Sequence, residues 1–256
     1  MTSIVSFNIN GFRSVVEKGI LEWIAQHDFD IICFQETKIR DGRIPKILID
    51  SFGYHHDWHH AERPGYSGVA TFSKQRPKKV FAGTGIQKYD LEGRVLQSEF
   101  ADFTVLNCYV PSGSSSDVRH QFKMQFLDDF YGLVDNLLLD QRKLIILGDF
   151  NIAHTEKDLH DPNRNKNSSG FLPKERQWMT QFFQLGMNDS LRHKYPDKVA
   201  YSWWHFAGDF RNENKGWRLD YIAVSDDLLD RVHDLKHMKD VTFSDHCPIV
   251  LELADS

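Results

Sequence analysis

The chain has 256 residues, 41% of them hydrophobic and 13% aromatic, enough for one large core or two tightly joined layers. It holds no run of about 18 apolar residues, the length that reads as a membrane-spanning helix, so no transmembrane helix and no membrane partner are expected. The formal charge of −5 does not announce a nucleic-acid binder, which usually carries a basic surplus; a local basic face, or acids gathered in a metal site, is still compatible with it.

The N-terminal stretch Met1-Thr2-Ser3-Ile4-Val5-Ser6-Phe7 lacks a basic n-region and a long apolar h-region. It is expected to be a first strand rather than a secretion signal. Cys33, Cys108 and Cys247 each lie in or beside an apolar run, with no CxxC or Cys–His pairing. They are expected to be buried free thiols in a reducing cytoplasm, not ligands or nucleophiles. There is no internal repeat or long linker. Ser112 to Ser116 and Asn163 to Gly170 are loop-sized, so residues 1–256 are assigned to a single domain.

Apolar runs at Ile4–Phe7, Ile31–Phe34, Val69–Phe72, Val95–Phe100, Thr104–Val110, Leu144–Leu147, Leu219–Val224 and Ile249–Leu253 predict strands. Between them, Ile20, Trp23 and Ile24 share a helical face. Phe122, Phe126, Leu127, Phe130, Leu133, Val134, Leu137 and Leu138 recur at three and four in a long helix. Trp178, Phe182 and Leu185 follow Pro173, a plausible helix start. Alternating strands and helices predict an α/β layered protein.

Polar groups collect at the strand ends. The first strand delivers Asn8 and Asn10, the second Gln35 and Glu36, and the fifth Tyr109. The sixth delivers Asp149 and Asn151, one residue apart; in an extended segment the two project to the same side. A carboxylate beside an amide suits a site where one activates water and the other orients it. The alternative is a strand followed by an Asx-turn. In the last strands the order reverses, because Asp220 begins its run and Ser244-Asp245-His246 precedes Ile249. If these residues share one site, early strands approach it and late strands leave it, which requires mixed sheets. Singly, each residue also has a structural explanation: Glu36 as partner of Lys38, Asp220 as partner of Arg218, Asp245 as a cap. Six strand ends all bearing metal- or phosphate-competent groups favour a shared site.

At this point the chain resembles the exonuclease III family of AP endonucleases. The resemblance is carried in order by Ser6-Phe7-Asn8-Ile9-Asn10-Gly11-Phe12-Arg13, Gln35-Glu36-Thr37-Lys38, Tyr66-Ser67-Gly68, Tyr109-Val110-Pro111 and Gly148-Asp149-Phe150-Asn151. It continues through Gly170-Phe171-Leu172-Pro173, Gly216-Trp217-Arg218-Leu219-Asp220-Tyr221 and Ser244-Asp245-His246-Cys247-Pro248. It covers the chain from residue 3 to about 253. The resemblance implies a four-layer α/β sandwich of the DNase I-like type, with two mixed β-sheets packed face to face and flanked by helices. It implies Mg²⁺- or Mn²⁺-dependent hydrolysis of the phosphodiester 5′ to an abasic site in duplex DNA, with cleaning of blocked 3′ ends and 3′→5′ exonuclease activity, by a cytoplasmic monomer.

It also assigns roles. Glu36, Asn10 and Asp245 would hold the metal region. Some members carry Asp where Asn10 stands. Asp149 would prepare the attacking water and Asn151 orient it. His246, held by Asp220, would donate to the phosphate; Tyr109 would donate its hydroxyl, and Asn8 would orient its neighbours. Arg13, Lys38, Tyr66, Lys123 and Arg211 would contact DNA, with Arg40, Arg43 and Arg63 on the same rim. Of Trp203, Trp204, Phe206 and Trp217, three are expected to pack, and Trp203 and Trp217 match positions that wall the pocket for an extruded abasic sugar. Gly170 would leave room for DNA. The competing classes are a catalytically silent DNA-binding protein and a phosphatase for a small molecule or lipid headgroup.

Overall fold

A computed structural model describes residues 1–40, 53–140 and 142–255; Arg43 lies outside them. The strands, in chain order, are β1 (Thr2–Asn8), β2 (Ile31–Gln35), β3 (His55–His59), β4 (Val69–Ser73), β5 (Lys79–Ala82) and β6 (Val95–Glu99). They continue with β7 (Thr104–Tyr109), β8 (Leu144–Asp149), β9 (Met187–Asp189), β10 (Asp220–Ser225), β11 (Val232–His237) and β12 (Ile249–Leu253). They form two six-stranded sheets, ordered β11-β12-β1-β2-β4-β3 and β5-β6-β7-β8-β10-β9.

Both sheets are mixed, as the strand-end pattern requires. β1 runs parallel to β2 and antiparallel to β12. β7 runs parallel to β8, and β10 antiparallel to it.

Side-chain alternation explains the unbroken apolar runs. Ile4, Ile31, Ile145, Leu147, Ile222 and Ile249 point into the core between the sheets. Their neighbours point outward: Val5, Phe7, Ile32 and Phe34 meet Ile20, Trp23 and Ile24 of the helix Ile20–His27. Leu144, Ile146 and Ala223 meet Phe126, Phe130, Trp178 and Phe182 of the helices Asp117–Leu139 and Pro173–Gln184. An inner strand is therefore covered on both faces and gains nothing from polar alternation. Each fully buried Ile, Leu or Phe contributes about 1.5–3 kcal/mol relative to exposure.

Four strands escaped the sequence reading: β3, β5, β9 and β11. They are the four sheet edges. β5 is exposed along its length and β11 buries only Val232 and Leu235. Edges lack the apolar run because one side faces water. The three cysteines are buried and unpaired, and burial raises their thiol pKa values, as suits inert core residues. No helix among the described residues is long and apolar enough to cross a membrane.

The penultimate position of β8 is one that only glycine can fill. Gly148 has φ +140°, and a Cβ there would sit 1.8 Å from the Cys108 carbonyl oxygen. Register pairs Gly148 with Cys108 of β7, so the two backbones touch. Replacing Gly148 by Ala is expected to cost on the order of 3 kcal/mol from backbone strain and overpacking, measurable as a fall in urea midpoint.

Candidate active site

Strand register sets Tyr109, Asp149 and Asp220 in one row, since Tyr109 pairs with Asp149 and Asp149 with Asp220. The other sheet contributes Asn8 from the end of β1. Its amide nitrogen Nδ2 lies 2.9 Å from both Asp149 Oδ2 and Glu36 Oε1, spanning the sheets. Late in the chain, His246 precedes β12 and packs over the same row.

Asp149 is held by a turn rather than by strand alternation. β8 stops at Asp149, and Asn151 takes a left-handed φ of 52°, so the expected extended Asp149–Asn151 segment is corrected. The Asn151 amide donates to Asp149 Oδ1 (2.8 Å) and its side chain to Asp149 Oδ2 (3.3 Å) and the Val110 carbonyl (2.9 Å). The Asx-turn and the shared site are thus one arrangement: the turn fixes the carboxylate.

Asp149 is almost wholly buried. Burial, with Asp220 and Glu36 nearby, raises its pKa above the carboxylate range even against the attraction of His246. His246 is also buried, with Nδ1 2.7 Å from Asp220 Oδ2 and Nε2 3.8 Å from Asp149 Oδ2. Burial opposes its positive form, but Asp220, with Asp149 and Asp245 behind it, raises its pKa above that of an ordinary imidazole. Asp220 Oδ2 is further fixed by the Ser202 hydroxyl at 2.6 Å, and Ser202 in turn accepts from the Leu219 and Asp220 amides. Sequence reasoning missed Ser202, whose signal was only its place beside Trp203. The alternative reading of Asp220 as partner of Arg218 is not met, because Arg218 bonds Asp158 and Asp189 (2.7 Å each).

Glu36 and Asn10 present oxygen donors to one place. Lys38 Nζ lies 2.8 Å from Glu36 Oε2 and also bonds Asn10 Oδ1. Burial opposes ionisation of Glu36, yet Lys38 and the Asn8 bond hold its pKa low. Asp245 accepts from Asn10 Nδ2, Trp203 Nε1 and the Ser244 hydroxyl, each at 3.0 Å. Two hard oxygens that already share one cationic group fit an oxygen-seeking divalent ion. A separate group of potential ligands among the described residues is formed by Asp149, Asp220 and His246, whose donor atoms lie within 4.8 Å of one another. There His246 Nδ1 is engaged by Asp220, while Asp220 Oδ1 is buried without a hydrogen-bond partner. Tyr109 is buried, and burial together with Glu36, to which it hydrogen-bonds, keeps its hydroxyl protonated.

These groups open into a cleft of about 800 Å³. Trp203 and Trp217 line it, and Gly170 packs against the Trp217 ring. Of the four expected aromatics, only Trp204 is fully buried; Phe206 is 68% exposed. His160, Arg164, His205 and Lys215 also line the cleft. They were missed because isolated polar residues outside an apolar repeat carry no periodic signal.

The expected basic rim divides. Arg13 is exposed, and Arg40 reaches the Glu62 carbonyl. Arg63 lies over the Tyr66 ring in a separate groove, where the Tyr66 hydroxyl bonds Arg94 and Arg119. Two assignments are corrected. Lys123 has no exposed surface; it bonds Glu175 and the Asn151 carbonyl from inside the fold. Arg211 spends its guanidinium on the carbonyls of Lys239, Val241, Ser244 and His246, and stacks on Trp204. It therefore clamps the loop that carries Asp245 and His246 rather than reaching outward.

Residues 5–246 match the Endonuclease/Exonuclease/phosphatase family. The chain is 43% identical to an exodeoxyribonuclease of Bacillus subtilis over 251 residues, covering 97% of this chain and 98% of that protein. It is 41% identical to the DNA repair nuclease APEX1 of Danio rerio, covering 98% of this chain and 82% of that one.

The chain belongs to the exonuclease III/AP endonuclease family.

Solved structures agree with this membership. An AP endonuclease from Archaeoglobus fulgidus superposes with a TM-score of 0.91 at 28% identity, covering 99% of each chain. A 3′ phosphatase from Neisseria, bound to product DNA hairpin, gives 0.92 at 26% identity, covering all of both chains. As a member of the exonuclease III/AP endonuclease family, the protein is a DNA-repair nuclease with the DNase I-like sandwich.

Proposed function

We propose that this nuclease hydrolyses the phosphodiester 5′ to abasic sites in duplex DNA. On the same reading it removes blocking groups from 3′ ends and degrades DNA 3′→5′, as a single-domain monomer. The observation that carries the proposal is the buried Asp149 carboxylate, held by Asn8 and Asn151 and set beside the His246–Asp220 pair, in a cleft walled by Trp203 and Trp217.

A phosphodiester is anionic, and attack by water adds negative charge in the transition state. Asp149 takes the proton of the attacking water, a role favoured by its raised pKa, while Asn151 orients that water. His246, kept protonated by Asp220, donates to the phosphate oxygen as charge develops there. Tyr109 adds a hydroxyl donor; as the bond to the water oxygen forms, the P–O3′ bond breaks and the leaving 3′ oxygen takes a proton from solvent. Glu36 and Asn10 would hold Mg²⁺ or Mn²⁺, with Asp245 bonded to Asn10 behind them, and the bound cation would offset charge on the phosphate. Arg164 and Lys215, which line the cleft, and the exposed Arg13 would meet flanking phosphates. Trp203 and Trp217 would enclose an extruded abasic sugar. Tyr66 and Lys38 would contact the strand beside the cleft.

Incubation with abasic duplex DNA, a recessed or 3′-phosphorylated end and an inositol phosphate, each with Mg²⁺ or EDTA, tests the proposal. Mg²⁺-dependent nicking at the abasic site is expected, with none in EDTA and no release of phosphate from the inositol. Binding of abasic DNA without nicking would favour a silent binding protein and sink the proposal.

A further inference from the structure

Lys123 and Glu175 form an ion pair with both side chains fully buried, at 2.6 Å. Each partner also holds backbone that lines the cleft. Lys123 Nζ donates to the Asn151 carbonyl at 2.8 Å. Glu175 Oε2 accepts from the Gly170 and Leu172 amides at 2.7 and 2.9 Å, and Oε1 accepts from the Ser169 hydroxyl at 3.4 Å. The two segments then lock together: the Ala153 amide donates to the Gly170 carbonyl at 2.7 Å. A Cβ on Gly170 would lie 3.1 Å from the Asn151 carbonyl oxygen. That carbonyl is therefore confined between the Lys123 ammonium and the Gly170 backbone. Asn151 itself has a left-handed φ of 52°, which a non-glycine residue keeps only when its surroundings enforce it.

We infer that Lys123 and Glu175 are positioning residues for the nuclease reaction: the pair fixes the Asn151 backbone and the Gly170 wall, and through Asn151 it aims the Asp149 carboxylate. The inference rests on the assignment of Asn151 and Asp149 made above. An apolar pair of similar volume would fill this space at no loss of stability in many folds. What an apolar pair lacks is a donor for the Asn151 carbonyl and acceptors for the Gly170 and Leu172 amides. The charge is spent on the geometry of a reacting group, because misplacement of about 1 Å can cost about 10²-fold in rate.

The test compares Lys123→Met, Lys123→Arg, Glu175→Gln and Asn151→Ala with the wild-type enzyme on abasic duplex DNA with Mg²⁺, each assayed well below its own Tm. Lys123→Met is expected to lower kcat at least about tenfold and leave KM within about threefold, the pattern of an interaction used in the transition state. Lys123→Arg is expected to recover most of that kcat, since a guanidinium restores the donor. If Lys123→Met does not fold, Glu175→Gln carries the same expectation, because it keeps an acceptor for the Gly170 amide while removing the charge that holds Lys123. Wild-type kcat in Lys123→Met or Glu175→Gln, alongside a strong loss in Asn151→Ala, would overturn the inference and leave the site assignment standing. A rise in KM with kcat unchanged would also overturn it, in favour of a DNA contact. Full activity in Asn151→Ala would overturn both.

Discussion

Asp149→Asn is expected to reduce kcat for abasic-site nicking by about 10³-fold, within the roughly 10²–10⁴-fold range of a positioned proton-transfer group. DNA affinity should stay within about threefold, because the lost interaction is made in the transition state and not in the bound complex. The substitution is nearly isosteric, and the Asn151 amide keeps an oxygen to donate to. What changes is the charge and one acceptor. Asn8 Nδ2 and Asn151 Nδ2 both point at Asp149 Oδ2, and an amide nitrogen there would face two donors. For the fold, removal of the buried charge works against that mismatch. Burial and the neighbouring Asp220 and Glu36 raise the Asp149 pKa, so its ionised form is a burden on the folded state at neutral pH. In metal-free buffer, Asp149→Asn should melt at the wild-type temperature or above it. Single-turnover cleavage, a binding titration and a thermal melt check the three statements. Cleavage at the wild-type rate would remove Asp149 from its role.

The second large effect is expected at the His246–Asp220 pair. On the proposed mechanism His246→Asn removes the donor to the phosphate and should cost about 10²–10³-fold in kcat, the magnitude typical of losing one preorganised transition-state donor. Asp220→Asn leaves the ring in place but withdraws the charge that holds it protonated. Asp220 raises the His246 pKa, so its removal lowers that pKa, and the imidazolium is lost at a lower pH. The deficit of Asp220→Asn relative to wild type should therefore grow as pH rises through neutrality and shrink in mild acid. A kcat/KM profile of both enzymes measures this; a deficit independent of pH would show that Asp220 acts only by packing. Ser202 offers a graded control, since its hydroxyl holds the same Asp220 oxygen at 2.6 Å. Ser202→Ala should weaken the pair less than Asp220→Asn does.

Arg211 and Lys123 show what a sequence conceals. Both are cations near site motifs, and a linear reading sends them outward to DNA. In the fold, Lys123 sits on the inner face of the helix Asp117–Leu139 and is fully buried. Arg211 turns back onto four carbonyls. Long basic side chains reach several ångströms from their backbone, and the direction they take depends on unpaired acceptors nearby. Unpaired carbonyls are a property of the folded loops, and no local pattern reports them. The lining cations Arg164 and Lys215 are the converse case, without a signal in the sequence and brought to the cleft by folding.

The sequence by itself determined the inner strands, the three main helices and the set of polar residues at the strand ends. Those features are local: a strand buried on both faces must be apolar throughout, and a residue that ends it must be polar if it meets a cleft. Family motifs in fixed order added the chemistry those residues serve. Tertiary structure alone decided the four edge strands, the alignment of Tyr109, Asp149 and Asp220 in one row, and the Asx-turn at Asn151 that aims the carboxylate. It also decided which oxygens share a cation near Glu36 and which lysine is buried. The row of Tyr109, Asp149 and Asp220 depends on register between strands distant in sequence, where a shift of one residue would turn every side chain to the other face; the others depend on which groups the folded chain brings beside them.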